Sequence, residues 1–168
     1  MNKFNQKGFG LIEIIVAATV GIAILLAAAT YLNFSLRVAA EDINQVEALY
    51  FAKSSLEQAR AVRDEEYSGN KNYGYENLYS LTFGNPYHFE ADISIPPKWI
   101  AVSGSETIGR YAIQFIVSDV YRDAISDDIV SSGGVLDPEI LKITSNVSYA
   151  TRGGIKQIGI YEYLANFK

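Results

Sequence analysis

An uncharged apolar run near the N-terminus constrains this chain more than any other feature. Between Glu13 and Arg37 no residue carries a formal charge, and residues 14–36 would extend roughly 34 Å as a helix at 1.5 Å per residue. A bilayer core is about 30 Å thick, so this run predicts a membrane-spanning helix. Glu13 places a carboxylate at the start of the run. An ionised group there costs on the order of 2–3 kcal/mol and usually meets a partner.

Composition is typical of an exported, membrane-tethered protein with one small domain. The chain has 168 residues and a net charge of −5, and what remains after the apolar run is hardly enough for two domains. An acidic surface argues against nucleic acid as a ligand, because backbone binding needs clustered Lys and Arg. The chain has no cysteine, so its stability must come from its core and no cysteine-based metal or redox site can form.

The residues around the start of the run resemble a known processing signal. The segment KGFGLIEIIVA, residues 7–17, is similar to the class III signal of type IV prepilins and type II secretion pseudopilins. The resemblance implies that a prepilin peptidase cleaves after Gly8 and removes a leader of residues 1–8. Phe9 then becomes the N-terminal residue and is N-methylated. Glu13, the fifth mature residue, pairs with the N-terminal amine of a neighbouring subunit during filament assembly.

This resemblance also implies a location and a set of partners. The protein would cross the inner membrane once with its globular part outside, and would then join a periplasmic or extracellular filament. Its partners would be other pilin or pseudopilin subunits, the prepilin peptidase, an inner-membrane assembly platform and, before assembly, membrane lipid. No nucleic acid and no cofactor are expected. A plain signal anchor held by Lys3 and Lys7 is the simpler alternative, but it leaves Glu13 unexplained.

The helix is predicted to continue far beyond the apolar run. No Pro or Gly interrupts residues 22–68, so we expect a membrane-spanning half, 9–36, and an amphipathic half, 37–68. Apolar residues recur at three- and four-residue spacings in the second half and predict the face packed on a soluble domain: Ile43, Val46, Leu49, Tyr50, Ala52, Leu56 and Ala59. Residues 47–68 are similar to PilV-type minor pilins and I-class pseudopilins, in which an Ala-rich helix ends in a Leu-Glu-x-x-Arg stretch.

Residues 69–168 predict a loop followed by an antiparallel sheet. The turn-rich stretch at 68–75 should end the helix. Four later runs alternate apolar and polar residues and predict strands, with inward residues at 87–95, 111–117, 141–149 and 158–164. Arg152, Gly153 and Gly154 supply the last hairpin turn. The fold class is therefore α+β, with the long helix packed on the sheet as in pilins.

Nothing in the sequence assembles a catalytic site, so we expect a protein that is not an enzyme. The single histidine, His88, falls on the polar side of a predicted strand and is interpreted as a solvated surface residue. Neither a nucleophile elbow nor a phosphate-binding glycine loop is present. The acidic stretch from Asp119 to Glu139 could hold Ca²⁺ through carboxylate oxygens, but its spacing does not match an EF-hand, and a solvated acidic loop is the preferred interpretation.

Three functional alternatives remain open beside a minor type IV pilin. The chain could be a pseudopilin of a type II secretion system, or a major pilin. It could instead be an uncleaved single-pass sensor or adhesin. A helix-bending proline, common in the membrane half of major pilins, is absent before Pro86, which favours a minor subunit.

Overall fold

The predicted α+β layout is confirmed, with a long N-terminal helix packed on a C-terminal antiparallel sheet. The computed structural model describes residues 10–65, 73–93, 97–131 and 133–166. Over these ranges the helices are α1 (Leu11–Arg63) and α2 (Tyr73–Tyr79), and the strands are β1 (Pro86–Asp92), β2 (Lys98–Ser103), β3 (Glu106–Ile108), β4 (Tyr111–Arg122), β5 (Ile129–Val130), β6 (Val135–Thr151) and β7 (Gly154–Ala165). The chain divides into two compact units between Ile43 and Asn44, so that α1 contributes to both.

The first unit is the apolar part of α1. The helix begins after Gly10, whose carbonyl oxygen accepts the backbone N–H of Glu13 at 3.0 Å. Its side chains are exposed along nearly the whole segment. The helix is long and apolar enough to cross a membrane, which is consistent with a single-pass membrane anchor.

The second unit is built on one antiparallel sheet. Within the described residues its main path runs in the order β2-β1-β4-β6-β7, while β3 and β5 pair with β4. Tyr111 lies opposite Tyr149 in the β4–β6 ladder, and Thr151 lies opposite Gly154 in the β6–β7 ladder. The β6–β7 turn is the predicted one, and Gly154 takes a φ of 118° there, which a residue with a Cβ rarely adopts.

Small side chains of α1 form the face that packs on the sheet. The buried residues of the helix are Ala48, Ala52, Ser55, Leu56, Ala59 and Val62. Four of these six are Ala or Ser, so large side chains from the strands, such as Phe115, fill most of the core. The predicted face was partly wrong, because Ile43, Val46 and Tyr50 are more than half exposed. Val46 and Tyr50 are each two residues from a buried alanine, and they therefore lie nearly opposite the small-residue stripe.

The helix runs along β4 in the same direction. Ala48 and Ala52 share a cluster with Tyr111 and Ile113 at the start of the strand. Leu56, Ala59 and Val62 share a second cluster with Phe115 and Val117 further along it. The two ends of β4 therefore mark the two ends of the helix–sheet unit.

The end of the helix differs from the prediction. Residues 64–65 have left the helix, whereas the sequence predicted helix to residue 68. The N–H of Glu65 bonds to the carbonyl of Val62 at 3.1 Å, and the N–H of Gly74 bonds to the carbonyl of Glu65 at 3.1 Å. This contact with α2 ends a stretch whose own propensity would have continued the helix. Part of the predicted loop is instead α2, which buries Tyr75 and Leu78.

The strand predictions were correct for β4, β6 and β7 and incomplete elsewhere. On β1 the buried alternation stops after Phe89, because Ala91 and Ile93 are exposed. The strands β2, β3 and β5 were not predicted. The run from Trp99 to Val102 is continuously apolar and carries no period-two signal.

Candidate functional site

The predicted assembly segment lies at the start of α1. Gly8 and Phe9 fall outside the described residues, and Glu13 lies in the first turn of the helix. Among the residues that the structure describes, no basic side chain forms an ion pair with Glu13. Its carboxylate is favourably placed relative to the positive end of the helix dipole. The geometry leaves this charge available to a cation from outside the described part of the chain.

The apolar part of α1 requires a cover that its own unit does not supply. Fourteen large apolar side chains between Leu11 and Leu36 are each more than half exposed. Covering such side chains with lipid or protein yields about 1.5–3 kcal/mol each, or on the order of 20 kcal/mol for the set. This segment is therefore stable only in lipid or against other apolar helices.

A groove opens between α1 and the start of β4 in the second unit. It has a volume of about 520 Å³ and is lined by Val46, Glu47, Tyr50, Phe51, Ile108 and Tyr111. We call it the helix–sheet groove. Val46 and Tyr50 stand on its helix side and Ile108 on its sheet side, and all three are exposed. The groove therefore presents exposed apolar side chains in the second unit, where the small-residue face of α1 is buried against the sheet.

A polar contact closes one wall of the groove. The hydroxyl of Tyr111 donates to Oε2 of Glu47 at 2.6 Å, and Nη1 of Arg110 donates to Oδ1 of Asn44 at 3.1 Å. Burial, together with the neighbouring carboxylate of Glu47, raises the pKa of Tyr111 to about 12. The phenol therefore stays protonated at neutral pH and keeps donating.

A hydrogen-bonded turn lies at the opposite end of β4. Oδ1 of Asp123 accepts the N–H groups of Ile125 and Ser126 at 2.8 and 2.9 Å, and these bonds hold the pKa of Asp123 below its usual range. Nη1 of Arg122 donates to the carbonyl of Asp127 at 2.7 Å. Asp127 has a φ of 61°, which aspartate tolerates better than most residues. We call residues 123–128 the acidic turn.

The carboxylates considered as an alternative calcium site are not brought together. Oδ2 of Asp137 accepts Nε of Arg122 at 2.6 Å, which lowers the pKa of Asp137. Asp123 is engaged with backbone N–H groups, and Asp137 and Glu139 belong to β6 and not to a loop. Over the described ranges no three His, Asp or Glu side chains are close enough to hold a metal ion. The arrangement is that of a turn clamped by Arg122.

His88 is less solvated than the sequence predicted. Its side chain is only 11% exposed, and Nε2 lies 2.9 Å from Oε1 of Glu90. The interpretation as a solvated surface residue was wrong, because the side chain is largely buried and contacts Glu90.

Sequence reasoning missed the helix–sheet groove. Val46 and Tyr50 have the spacing of a buried face, and only the pairing of β3 with β4 shows that Ile108 stands opposite them. The available signal was that apolar residues occur on two sides of the helix, with Val46 and Tyr50 nearly opposite Ala48 and Ala52.

Searches against protein-family models, curated proteins and solved structures find no match to this chain.

Proposed function

We propose that the chain is a structural minor subunit of a type IV pilus or pilus-like filament. A prepilin peptidase cleaves it after Gly8 and Phe9 is then methylated. Before assembly, the apolar part of α1 holds it in the inner membrane with the globular unit outside. Its role in this proposal is assembly and not catalysis.

One observation carries the proposal: Glu13 stands on an uncovered apolar helix with no basic partner among the described residues. An ordinary anchor gains nothing from a carboxylate there. A filament subunit does gain, because the new amine of Phe9 in a neighbouring subunit supplies the missing cation. Two charges 4 Å apart attract by about 4 kcal/mol at an effective dielectric constant of 20, which exceeds the cost of placing the carboxylate.

The rest of the helix supports the same role. The pairing of Glu13 would fix the axial register between neighbours, and the exposed apolar side chains of residues 11–36 would cover one another in a helical bundle. Gly21 has no neighbouring atom within 4 Å of its Cβ position. Small residues of this kind allow helices to approach closely in apolar surroundings.

The type of filament is a separate question. A pseudopilin of a secretion system or a major pilin would use the same helix and the same carboxylate. Subunit abundance and neighbouring genes distinguish these, since a major pilin is present in large excess.

Mass spectrometry of the N-terminus tests the proposal directly. The protein is purified from cells with and without prepilin peptidase. We expect a peptide that begins at N-methylated Phe9 only in cells with the peptidase. Retention of residues 1–8 in both strains would refute the proposal and leave an anchored sensor or adhesin.

A charge-removing variant tests the role of Glu13. Glu13→Gln keeps the shape and removes the charge, and Asp42→Asn is a matched control on the same helix beyond the apolar run. We expect Glu13→Gln to reach the membrane normally and to be lost from sheared filaments, whereas Asp42→Asn should assemble. Normal incorporation of Glu13→Gln would contradict the pairing.

A further inference from the structure

The last strand of the sheet has a free edge within the part of the chain that the structure describes. In the order β2-β1-β4-β6-β7 the strand β7 stands at one end and pairs only with β6. Its twelve residues, Gly154–Ala165, pair with β6 in continuous register, and none of them is a proline. Such an edge presents a row of unpaired N–H and C=O groups, so it can add another strand.

The sequence of β7 is complementary to itself when it is reversed about Gly159. The strand carries two charged side chains, Lys156 and Glu162, which have opposite signs and lie three positions before and after the glycine. Ile158 and Ile160 flank the glycine on either side. An antiparallel partner of the same sequence, centred on Gly159, therefore places opposite charges together twice and isoleucines together twice. Opposite charges and apolar side chains that face each other across two strands stabilise a sheet.

The other face of β7 is complementary in the same register. Ile155 comes to lie opposite Tyr163 of the partner strand, and Gln157 opposite Tyr161. In the single copy Ile155 and Tyr161 are both more than half exposed, so their apolar surface is available for a second strand. Aliphatic and aromatic side chains are favourable cross-strand neighbours.

The charges that surround Glu162 also favour a cation from outside. Nε of Arg60 donates to Oε1 of Glu162 at 2.7 Å, and Glu57 binds the same guanidinium. These three groups leave one net negative charge, which Lys156 of a second copy would balance. The ammonium of Lys156 has three donors, so it can keep a contact within its own copy and still bind another acceptor.

Charges on an edge strand can instead prevent pairing. In β7 their positions distinguish between registers. A shift of two residues from the register centred on Gly159 places Lys156 opposite Ile160 or Leu164 and leaves both charges of each strand without an opposite charge across the pair. The charges therefore select one register and disfavour its neighbours.

We propose that β7 of one copy pairs antiparallel with β7 of a second copy about Gly159, with Lys156 of each copy opposite Glu162 of the other. The contact uses the same strand on both copies, so it is isologous and closes as a dimer. It goes beyond the proposed filament role. It does not depend on cleavage after Gly8 or on Glu13, so the uncleaved full chain tests it separately.

The pairing also fixes the orientation of the two copies. The strand β7 is parallel to β4, since each is antiparallel to β6, and residues 44–63 of α1 run along β4 in the same direction. These helical segments are therefore antiparallel to each other in the pair. The contact suits copies that approach from two opposing membranes or filaments, and it cannot form between parallel neighbours in one bundle.

Disulfide trapping is suited to the test because the chain has no native cysteine. Full-length Gln157→Cys and Tyr161→Cys chains, with different tags, are purified in detergent, mixed and oxidised mildly. Opposite residues of an antiparallel pair have Cα atoms about 4.5–5.5 Å apart, which suits a disulfide. We expect the 157–161 heterodimer to form at least about tenfold faster than either homodimer, because equal positions lie four residues, or about 13 Å, apart along the pair.

A cysteine outside β7 controls for random collision. Ile93→Cys is mixed with Gln157→Cys under the same conditions, since the side chain of Ile93 is 91% exposed on the same unit. We expect this mixture to give no more product than either homodimer.

Charge reversal tests the register in the same cysteine chains. Lys156→Glu in both chains brings like charges together twice and should lower the initial rate of 157–161 trapping roughly tenfold. Lys156→Glu in one chain and Glu162→Lys in the other makes both pairs opposite again and should restore the rate. Near-UV circular dichroism verifies that each variant is folded, and Lys156→Gln, which leaves Glu162 and Arg60 untouched, should lower the rate by itself.

Three results would overturn the inference. The first is a 157–161 heterodimer that forms no faster than the homodimers or the Ile93→Cys control. The second is faster trapping with Lys156→Gln, which would show that the charge protects the edge from pairing. The third is a rate that the combination of Lys156→Glu with Glu162→Lys does not restore although both chains are folded.

Discussion

Gly74 gives the sharpest stability prediction in the molecule. It lies in the first turn of α2, where a Cβ atom would stand 1.7 Å from the carbonyl oxygen of Val62 and 2.8 Å from that of Arg63. Both atoms are backbone at the end of α1, so no side chain can turn away to make room. The Gly74→Ala substitution must therefore push the two helices apart.

The magnitude follows from two opposing effects. Alanine is favoured over glycine in a helix by about 1 kcal/mol. Ordinary contact distances are about 3.5–4 Å, so α2 must move by roughly 2 Å, which loosens the packing of Tyr75 and Leu78 in the core. Overpacking of a rigid site typically costs 1–3 kcal/mol and occasionally more. A clash of 1.7 Å with backbone places the cost at the upper end, about 3 kcal/mol. After the gain from alanine we expect a net loss of about 2 kcal/mol, or roughly 6–10 °C in Tm for a unit of this size.

Two other glycines serve as graded controls. At Gly159 a Cβ would meet Oδ1 of Asn146 at 2.7 Å, which is the end of a flexible side chain. Gly159→Ala should therefore cost less than about 1 kcal/mol, since the amide can rotate. At Gly153 the nearest atom is Oγ1 of Thr151 at 3.9 Å, and Gly153→Ala should leave the free energy of unfolding nearly unchanged.

The assay is thermal unfolding of the full chain in detergent, followed by near-UV circular dichroism. The apolar part of α1 should keep its far-UV signal in micelles, whereas near-UV signals report the packed aromatic core. We expect Gly153→Ala to have the highest Tm of the three variants, Gly159→Ala a lower one and Gly74→Ala the lowest. A Gly74→Ala protein as stable as Gly153→Ala would refute the argument, because it would show that the ends of α1 and α2 do not pack as described.

The remaining predictions concern the core and two polar contacts of the second unit. Phe115→Ala should cost about 3–5 kcal/mol in urea unfolding, since the ring is fully buried; a loss below about 1 kcal/mol would contradict its place in the core. Tyr111→Phe should cost about 1 kcal/mol at pH 7, because it removes the hydrogen bond to Glu47. The raised pKa of Tyr111 stabilises the fold below pH 10, and this contribution is lost as pH rises towards 12, so the difference from Tyr111→Phe should shrink over that interval. Asp137→Asn should destabilise the protein at pH 7, because Arg122 lowers the pKa of this carboxyl. The difference should disappear as pH falls below about 4, and a constant difference down to pH 2 would exclude the ion pair as its cause.

Much of the fold could be predicted because its signals are local. The absence of Pro and Gly from residues 22–63 predicts one long helix, and period-two alternation at Tyr111–Val117 predicts a strand with one buried face. The elements that were missed depend on distant contacts. The helix α2 forms where Tyr75 and Leu78 meet the end of α1, and β2 depends on pairing with β1, since its apolar run does not alternate.

The candidate functional residues also differ in whether their signal is local in the sequence or depends on distant contacts. The role of Glu13 stays a prediction, made because a carboxylate at the start of an apolar run is unusual. The helix–sheet groove could not be predicted, since Val46 and Ile108 are 62 positions apart and only strand pairing brings them together. Val46 and Ala48 are two residues apart and lie on opposite sides of the helix, and the apolar spacing alone does not show which side is buried.

The stripe of small residues on α1 has a mechanical consequence. Because the helix lies along β4, a tensile load applied along its axis acts on the helix–sheet contacts as shear. Two polar contacts stand at the extremes of this interface, Glu47 with Tyr111 at one end and Arg60 with Glu162 at the other, the latter at 2.7 Å. The contacts between them would share the force at the same time and would not give way one after another. A protein with this arrangement resists pulling along the helix far better than lifting of the helix away from the sheet.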